Sequence, residues 1–276
     1  PLADAKVVTF LLSANFFTSF FSYLRLSFKK YAKMWQKEVG ILLSVTKHND
    51  KSCIIHTFSR EQGYASYMFY LAKSSKGCEK NAILQPLTRI EYESKGGQQG
   101  KSLQHLSQIR NRAPYKNIPF HPVKRAIALY LSEFLTYALK NEESNIPLYM
   151  AIEESLEWFD NAVRYSNFHL LVMILTARHL GIMPACDSYT QGYFFDMNEG
   201  EYVSQMPHHT EYLDRDLSYK LALLSATNLQ TMHNTPLTHQ ERVTLLRKLN
   251  SYFKIHLPLF PKLKSIDILE EIFEDN

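Results

Sequence analysis

The chain has 276 residues, of which 45% are hydrophobic and 21% charged, so it can bury one large core or two modest ones. Its three cysteines are too few and too widely spaced for a disulfide framework, and we expect free thiols in a reducing cytoplasm. The formal net charge is only +4, but residues 34–125 hold 15 Lys and Arg against 6 Asp and Glu, a net +9. Residues 126–276 hold 11 against 20, a net −9. This asymmetry predicts a polyanionic partner for the basic block, and solvated faces that bind nothing are the alternative.

The first predicted element is an apolar segment. Residues 7–24 carry no charge, are rich in Phe, and are followed by four Lys and Arg residues between positions 25 and 33. Such a run is typical of a short membrane helix or an uncleaved signal. The chain begins with Pro1 rather than Met, which favours an extension upstream of the native start. We therefore treat residues 1–33 as separate from the fold.

From residue 37 to residue 110 the pattern is typical of β-strands. Apolar residues alternate with others from Val39 to Val45, and the stretch from Cys53 to Phe58 alternates in the same way. Three further runs, 64–73, 83–94 and 101–109, complete five strands. Five short strands within about 75 residues favour a small closed barrel, and the OB-fold is the five-stranded barrel that commonly binds nucleic acid.

Beyond a Pro-rich bridge at 114–122, the apolar residues recur every three or four positions. One amphipathic helix is predicted from Val123 to Leu139, and Pro147 opens a second that reaches about residue 160. Ser166 is the predicted cap of a third helix, which ends at Gly181. Thr238 and Glu241 form a capping box for a fourth, and a shorter helix follows Ser265.

The predicted fold class is therefore α+β. A five-stranded OB-fold barrel at 34–113 is followed by an all-helical domain at 114–276, which carries an irregular insert near 183–215. The apolar segment at 1–33 precedes the barrel.

Four short motifs stand in order within the predicted barrel. They are Met34-Trp35-Gln36-Lys37, the hexapeptide FSREQG at 58–63, LAKSSK at 71–76 and LQPLT at 84–88. In this order and spacing they resemble the N-terminal domain of RecO, a family of bacterial recombination-repair mediators. The segments at 124–130 and 257–260 resemble the helical half of the same family. The resemblance implies a barrel followed by a helical domain, with a native start near Met34.

The resemblance also implies a function. RecO-like proteins are non-enzymatic mediators that bind single- and double-stranded DNA and anneal complementary strands. They help to load RecA recombinase onto strands coated by the single-stranded-DNA-binding protein. The implied partners are RecR and the acidic, hydrophobic C-terminal tail of the single-stranded-DNA-binding protein, and the implied location is the cytoplasm, on the nucleoid. Lys124 and Arg125, at the start of the first long helix, are the candidates for binding that tail; solvation of the helix is their alternative role.

The candidate nucleic-acid-binding residues are cations and tyrosines of the predicted barrel. Long cations at strand ends follow a phosphate backbone, and unpaired bases stack on aromatic rings. Tyr67 and Phe69 share one face of a strand and Tyr64 and Tyr70 share the other, so we expect one pair in the core and one pair available for stacking. RecO-like chains carry a basic cluster before the LQPLT motif, where this chain has three loop lysines (Lys73, Lys76 and Lys80) but no arginine, and includes Glu79. The candidates are Lys47, Lys51, Arg60, the loop lysines Lys73, Lys76 and Lys80, Lys101, Arg110 and Arg112, with Tyr64 and Tyr70 for stacking.

No complete catalytic or metal-binding signature is present in the sequence. The stretch at 96–102 lacks the glycine that a P-loop needs five places before its Gly-Lys pair, so we expect no nucleotide hydrolysis. Many RecO relatives hold a structural metal with two Cys-x-x-Cys pairs, but this chain has at most Cys186 in that region, and we expect neither zinc nor another cofactor. Two rival functions stay open: an OB-fold module that binds RNA, and a membrane-tethered interaction protein that uses residues 1–33.

Overall fold

The computed structural model describes residues 35–71, 83–95, 103–183 and 188–274. In these ranges, five long strands come first, and six helices with three short strands follow. The first part contains β1 (Trp35–Asn49), β2 (Ser52–Ser59), β3 (Gly63–Tyr70), β4 (Arg89–Lys95) and β5 (Gln104–Asn111). The second contains α1 (Pro122–Ala138), α2 (Ile146–Asn161), α3 (Phe168–His179), β6 (Phe194–Asp196), β7 (Glu201–Val203), β8 (Tyr212–Leu213), α4 (Arg215–Ser225), a 3₁₀ turn (Met232–Asn234), α5 (His239–His256) and α6 (Ser265–Glu274).

Strands β1 to β5 pair in a ring. The order β1-β2-β3-β5-β4 closes into a barrel, which confirms the predicted five-stranded architecture. The strands pair antiparallel except β3 and β5, which run parallel and share only two residue pairs, Tyr67 with Gln104 and Met68 with His105. β1 closes the ring because its 15 residues pair with β4 in the first half and with β2 in the second.

Two apolar clusters use opposite faces of the barrel strands. Leu42, Ile55, Tyr67, Phe69 and their neighbours fill the barrel interior. Residues on the outer face of β1, with Phe58 and Leu87, pack instead into a larger cluster shared with the helices. The helical part therefore covers one flank of the barrel, and both faces of β1 are buried on that side.

The observed helices largely agree with those predicted from the sequence, and the differences concern one cap and the insert. The capping box of Thr238 and Glu241 opens α5 as predicted, and Pro147 lies in the first turn of α2. The predicted cap of α3 is wrong: Asn167, not Ser166, is the capping position, and the Asn167 amide donates to the carbonyls of Met232 and Thr235. The α+β class is confirmed, but the insert near 183–215 is not irregular throughout, because β6, β7 and β8 form a small sheet there.

Helix α4 was not predicted. Its N-terminus is capped by the Asp214 side chain, which accepts a hydrogen bond from the Leu217 N–H. Leu217, Leu221 and Leu224 follow at steps of four and three residues, and Leu221 and Leu224 are fully buried. A capping Asp followed by leucines at helical spacing is the signal that identifies this helix.

Two described residues of the RecO-like motifs, Gly63 and Leu87, lie where the barrel meets the helical part. Gly63 has a φ of 71°, and a Cβ there would overlap the carbonyls of Glu142 and Glu143, so only glycine fits. The next residue, Tyr64, donates its N–H to the Glu142 carbonyl at 2.9 Å. In the LQPLT motif, Leu87 donates its backbone N–H to the Leu42 carbonyl at 2.8 Å. The contacts of Gly63 and Tyr64 therefore join the barrel to the helical part, whereas the hydrogen bond of Leu87 lies within the barrel.

Among the described residues, no helix combines the length and the hydropathy needed to cross a membrane. The apolar segment at 1–33, on which the membrane-tethered alternative rests, lies outside them.

Candidate nucleic-acid interface

One end of the barrel presents an exposed aromatic pair and two exposed lysines. Tyr70 is the last residue of β3 and is 62% exposed. Its ring stacks on that of His105 in β5, with 5.4 Å between the centroids and 18° between the planes. Lys51 lies beside Tyr70, because the Leu71 N–H donates to the Lys51 carbonyl at 2.8 Å. Lys47 is exposed on β1, two strands from β3, and its ammonium pairs with Asp50 at 2.8 Å.

The other predicted stacking residue, Tyr64, is not available to a ligand. It lies at the start of β3, half-buried against the helical part. Its hydroxyl and His56 Nδ1 are 3.1 Å apart, and the two rings stack. Burial raises the pKa of Tyr64 and, with the nearby charge of Lys140, lowers the pKa of His56, so both rings are neutral packing groups. The structure thus contradicts a stacking role for Tyr64 because the second domain covers this part of the strand face.

The predicted arginines do not join the surface around Tyr70. Arg60 follows β2 and Lys51 precedes it, so at ~3.3 Å per residue the two lie about 30 Å apart along the strand. Arg112 forms an ion pair with Glu153 of α2 and thereby links the barrel to the helices. Arg110 is exposed on β5, opposite Glu91 of β4. Of these three arginines, Arg110 is the one that is exposed on a barrel strand and has no described contact with the helical part.

Four of the predicted cations lie outside the described residues. They are the loop lysines Lys73, Lys76 and Lys80, between β3 and β4, and Lys101, between β4 and β5. Their assignment to the interface therefore stays a prediction. The described residue that the sequence reasoning missed is His105. A lone His in an alternating strand carries no local signal, and its contact with Tyr70 depends on the parallel pairing of β3 with β5.

Lys124 is buried rather than exposed to a partner peptide. Only 4% of its surface is accessible, and its ammonium donates to the carbonyls of Phe159 and Asp160 at 2.8 Å each. Burial lowers the pKa of Lys124, and the charge of Asp160 opposes that shift. The prediction that Lys124 binds the tail is therefore wrong, because the end of α2 occupies its ammonium. Arg125, the next residue, is exposed.

Asp160 holds the bridge between the barrel and α1. Its carboxylate accepts the backbone N–H groups of Lys116, Asn117 and Ile118 at 2.7–2.8 Å. Burial alone would raise the pKa of Asp160, but these three donors and the ammonium of Lys124 lower it overall. A negative charge is thus fixed at the domain junction.

A second buried carboxyl group lies inside the barrel. Glu38 is 5% exposed and accepts hydrogen bonds from Ser94, Tyr92 and Gln62. Its pKa is raised by burial, although the hydrogen bonds act in the opposite direction. Gln62 belongs to the FSREQG motif, so this motif residue satisfies an internal carboxyl group instead of reaching a ligand.

The insert is held by hydrogen bonds between its own strands. Asp196 of β6 is 3.1 Å from His209 Nε2, and its other oxygen accepts the N–H groups of Asn198 and Glu199. His256 Nε2 lies 2.8 Å from the Met197 carbonyl, which ties the insert to α5. In the part of the chain that the structure describes, no three His, Cys, Asp or Glu side chains cluster as metal ligands, and Cys186 lies outside it. The expected absence of zinc stays a prediction.

Two grooves border α6. One of about 520 Å³ lies between the barrel and α1, where Leu129, Ile268 and Lys264 are among the lining residues. The other, of about 430 Å³, lies between α5 and α6. Three cations line this second groove: Arg247, Lys254 and Lys262. Arg125 lines neither of them.

Comparison with known protein families agrees with this two-part architecture. The family described as "Recombination protein O N terminal" matches residues 34–115, and "Recombination protein O C terminal" matches residues 120–265. The chain belongs to the RecO family. The boundary between the two matches falls in the bridge that Asp160 holds.

Several RecO proteins are similar to this chain over nearly all their length. The DNA repair protein RecO of Phocaeicola vulgatus is 37% identical over 241 residues, which cover 87% of this chain and 100% of that protein. That of Bacteroides fragilis is 37% identical over 243 residues, which again cover 87% of this chain and 100% of that protein. That of Flavobacterium psychrophilum is 33% identical over 245 residues, covering 86% of this chain and 98% of the relative. Membership of this family supports a role in DNA repair and recombination, and the OB-fold barrel is consistent with DNA binding.

Proposed function

We propose that this protein is a non-enzymatic recombination mediator of the cytoplasm. It binds single- and double-stranded DNA, anneals complementary strands, and helps RecA to load onto strands coated by the single-stranded-DNA-binding protein. RecR is its proposed partner in that loading. The observation that carries the proposal is the exposed surface of Tyr70, His105 and Lys51 on an OB-fold barrel of a RecO-family chain.

The charge distribution supports annealing as the activity. The basic block at 34–125 carries a net +9, which favours binding of two phosphate backbones with release of their counterions. Once both strands are neutralised on one surface, their mutual repulsion is reduced and base pairing follows without a chemical step. The proposed annealing activity therefore requires no ATP.

The groove between α5 and α6 is the proposed site for the tail of the single-stranded-DNA-binding protein. Lys254 and Lys262 are exposed at its edge, and Leu263 and Ile266 line it. Arg247 also lines it, held by two hydrogen bonds to Glu270 at 2.7 and 2.5 Å. An acidic, hydrophobic peptide matches two exposed lysines beside apolar side chains. The groove is also lined by Asn250, Ser251 and one acidic residue, Asp267. This groove replaces Lys124 as the candidate site.

A labelled tail peptide tests the groove. Lys254→Glu and Lys262→Glu are expected to weaken peptide binding, because each replaces an attractive charge with a repulsive one. Arg125→Glu is the matched control, since Arg125 is an exposed cation of the same part of the molecule that does not line the groove. If Arg125→Glu weakened binding and the groove variants did not, the peptide would bind near the start of α1.

The mediator activity is tested by strand annealing without ATP. Two complementary oligonucleotides are mixed with the full chain, one of them bare or coated by the single-stranded-DNA-binding protein. Faster annealing of bare and coated strands is the expected result. Tight binding without faster annealing would contradict the mediator role. Tighter binding to RNA of the same sequence would favour an RNA-binding barrel instead.

A further inference from the structure

The aromatic pair at the end of the barrel contributes little to the barrel's own core. Tyr67 and Phe69 of the same strand are 1% and 6% exposed and point into the interior. Tyr70 points the other way and is 62% exposed, and His105 is exposed beside it. β3 and β5 are paired only through two residue pairs, and Tyr70 lies beyond the last of them. The two stacked rings therefore remain open to solvent at one end of the barrel.

The surroundings of this pair match one chemical class of ligand. Lys51 lies at the same end of the barrel, where its carbonyl accepts the N–H of Leu71, the residue after Tyr70. Lys47 is exposed near this end on β1, with its ammonium paired to Asp50. A flat aromatic surface at the same end of the barrel as exposed lysines fits a chain that alternates flat rings with negative charges. Single-stranded DNA has this arrangement, since its bases are unpaired and its phosphates repeat along the backbone.

We propose that Tyr70 and His105 form a stacking platform for the unpaired bases of single-stranded DNA. This inference rests on the proposed function and assigns different roles to the cations and to the aromatic pair. The cations bind phosphates, which single strands and duplexes both carry, whereas the platform binds base faces, which a duplex covers. The aromatic pair therefore determines the preference for single strands, and the cations determine the dependence on salt.

The experiment compares wild type with Tyr70→Ala and His105→Ala on three probes. The probes are an oligothymidine, a duplex of the same length, and an oligonucleotide of the same length with abasic sugars. Tyr70→Ala is expected to weaken oligothymidine binding about 5- to 140-fold, the loss of one base stacked on an aromatic ring. The slope of log affinity against log salt stays unchanged, because no charge is removed. Duplex and abasic affinities stay within about twofold of wild type, since neither probe offers a free base face.

Two control variants separate stacking from folding. Tyr70→Phe retains the ring and is expected to bind oligothymidine as wild type does. Tyr219→Ala removes another exposed tyrosine, 46% exposed on α4, and leaves all three affinities unchanged. If Tyr70→Ala weakened binding to the abasic probe as much as to oligothymidine, the ring would have a structural role and the inference would be wrong. It would also be wrong if oligothymidine affinity did not change while wild type bound it. Failure of wild type to bind any probe would overturn the proposed function itself.

Discussion

Replacing Lys124 by Met tests how the bridge to the helical domain is held. The ammonium donates to the last carbonyls of α2, those of Phe159 and Asp160, at 2.8 Å each. It also lies 5.5 Å from the ring centroid of Phe159 and 5.1 Å from that of Tyr165. Met preserves most of the apolar stem and removes the charge and the donors. The expected result is a folded but less stable protein.

The size of the destabilisation follows from these interactions. A hydrogen bond from a charged group contributes about 1.5–3 kcal/mol, and Lys124→Met removes two of them. Each carbonyl keeps one other donor, the Ala162 N–H for Phe159 and the side-chain amide of Asn117 for Asp160. The cost is partly offset because the ammonium itself no longer has to be desolvated. We expect the free energy of unfolding to fall by about 2–4 kcal/mol. In a chain of this size, that lowers the melting temperature by roughly 5–10 °C.

Urea unfolding followed by circular dichroism measures this destabilisation. The matched control is Arg125→Met, which removes the charge of the adjacent exposed residue and is expected to change stability by less than about 0.5 kcal/mol. The midpoint should fall for Lys124→Met at a constant slope, whereas a changed slope would indicate a change in the unfolded state or in cooperativity. If Lys124→Met were as stable as wild type but no longer bound the tail peptide, the structural role given to Lys124 would be refuted.

Three further predictions concern the loop, the bridge and the domain junction. Replacing the three loop lysines by Ala is expected to weaken single-strand binding and to reduce its salt slope by about 0.7 for each phosphate that is no longer neutralised; an unchanged slope would exclude the loop. Because the pKa of Asp160 is lowered in the folded protein, its contribution to stability is present above the unfolded value of about 3.9 and disappears as pH falls through the folded value. Urea unfolding at several pH values should therefore show a shallower decrease of stability on acidification for Asp160→Asn than for wild type, and parallel profiles would contradict this. Gly63→Ala should cost at least about 2 kcal/mol in thermal unfolding, because its φ is positive and the new Cβ meets backbone carbonyls. The control Gly192→Ala, with a φ of 84° but open space, should cost about 1 kcal/mol, and equal costs would remove the steric argument.

Much of the fold could be predicted from local sequence patterns. The five strands, the first long helix and the capping box at Thr238 follow from side-chain periods and hydrogen-bonding groups within a few residues of each other. The small sheet in the insert was missed because its strands are only two or three residues long. Such strands are too short to show alternation, and they exist because β6 pairs with both neighbours.

The candidate site could be predicted only in part from the sequence. The sequence correctly separated Tyr67 and Phe69 from Tyr64 and Tyr70, since alternation assigns residues to two faces of a strand. It did not distinguish Tyr64 from Tyr70, because both lie on the same face and only one end of that face is covered by the helical part. His105 was missed for a related reason: its neighbour Tyr70 is distant in sequence and adjacent only through the closure of the barrel.

The sequence by itself determined the α+β class, the order of the two domains and the RecO family, because periodicity, caps and motif spacing are properties of the chain. Only the tertiary structure decided which predicted residues are accessible. Lys124 and Arg125 are adjacent and equally basic, yet one is enclosed by the end of α2 and the other is exposed. Local chemistry sets the face on which a side chain lies, but its accessibility depends on what distant segments pack over that face.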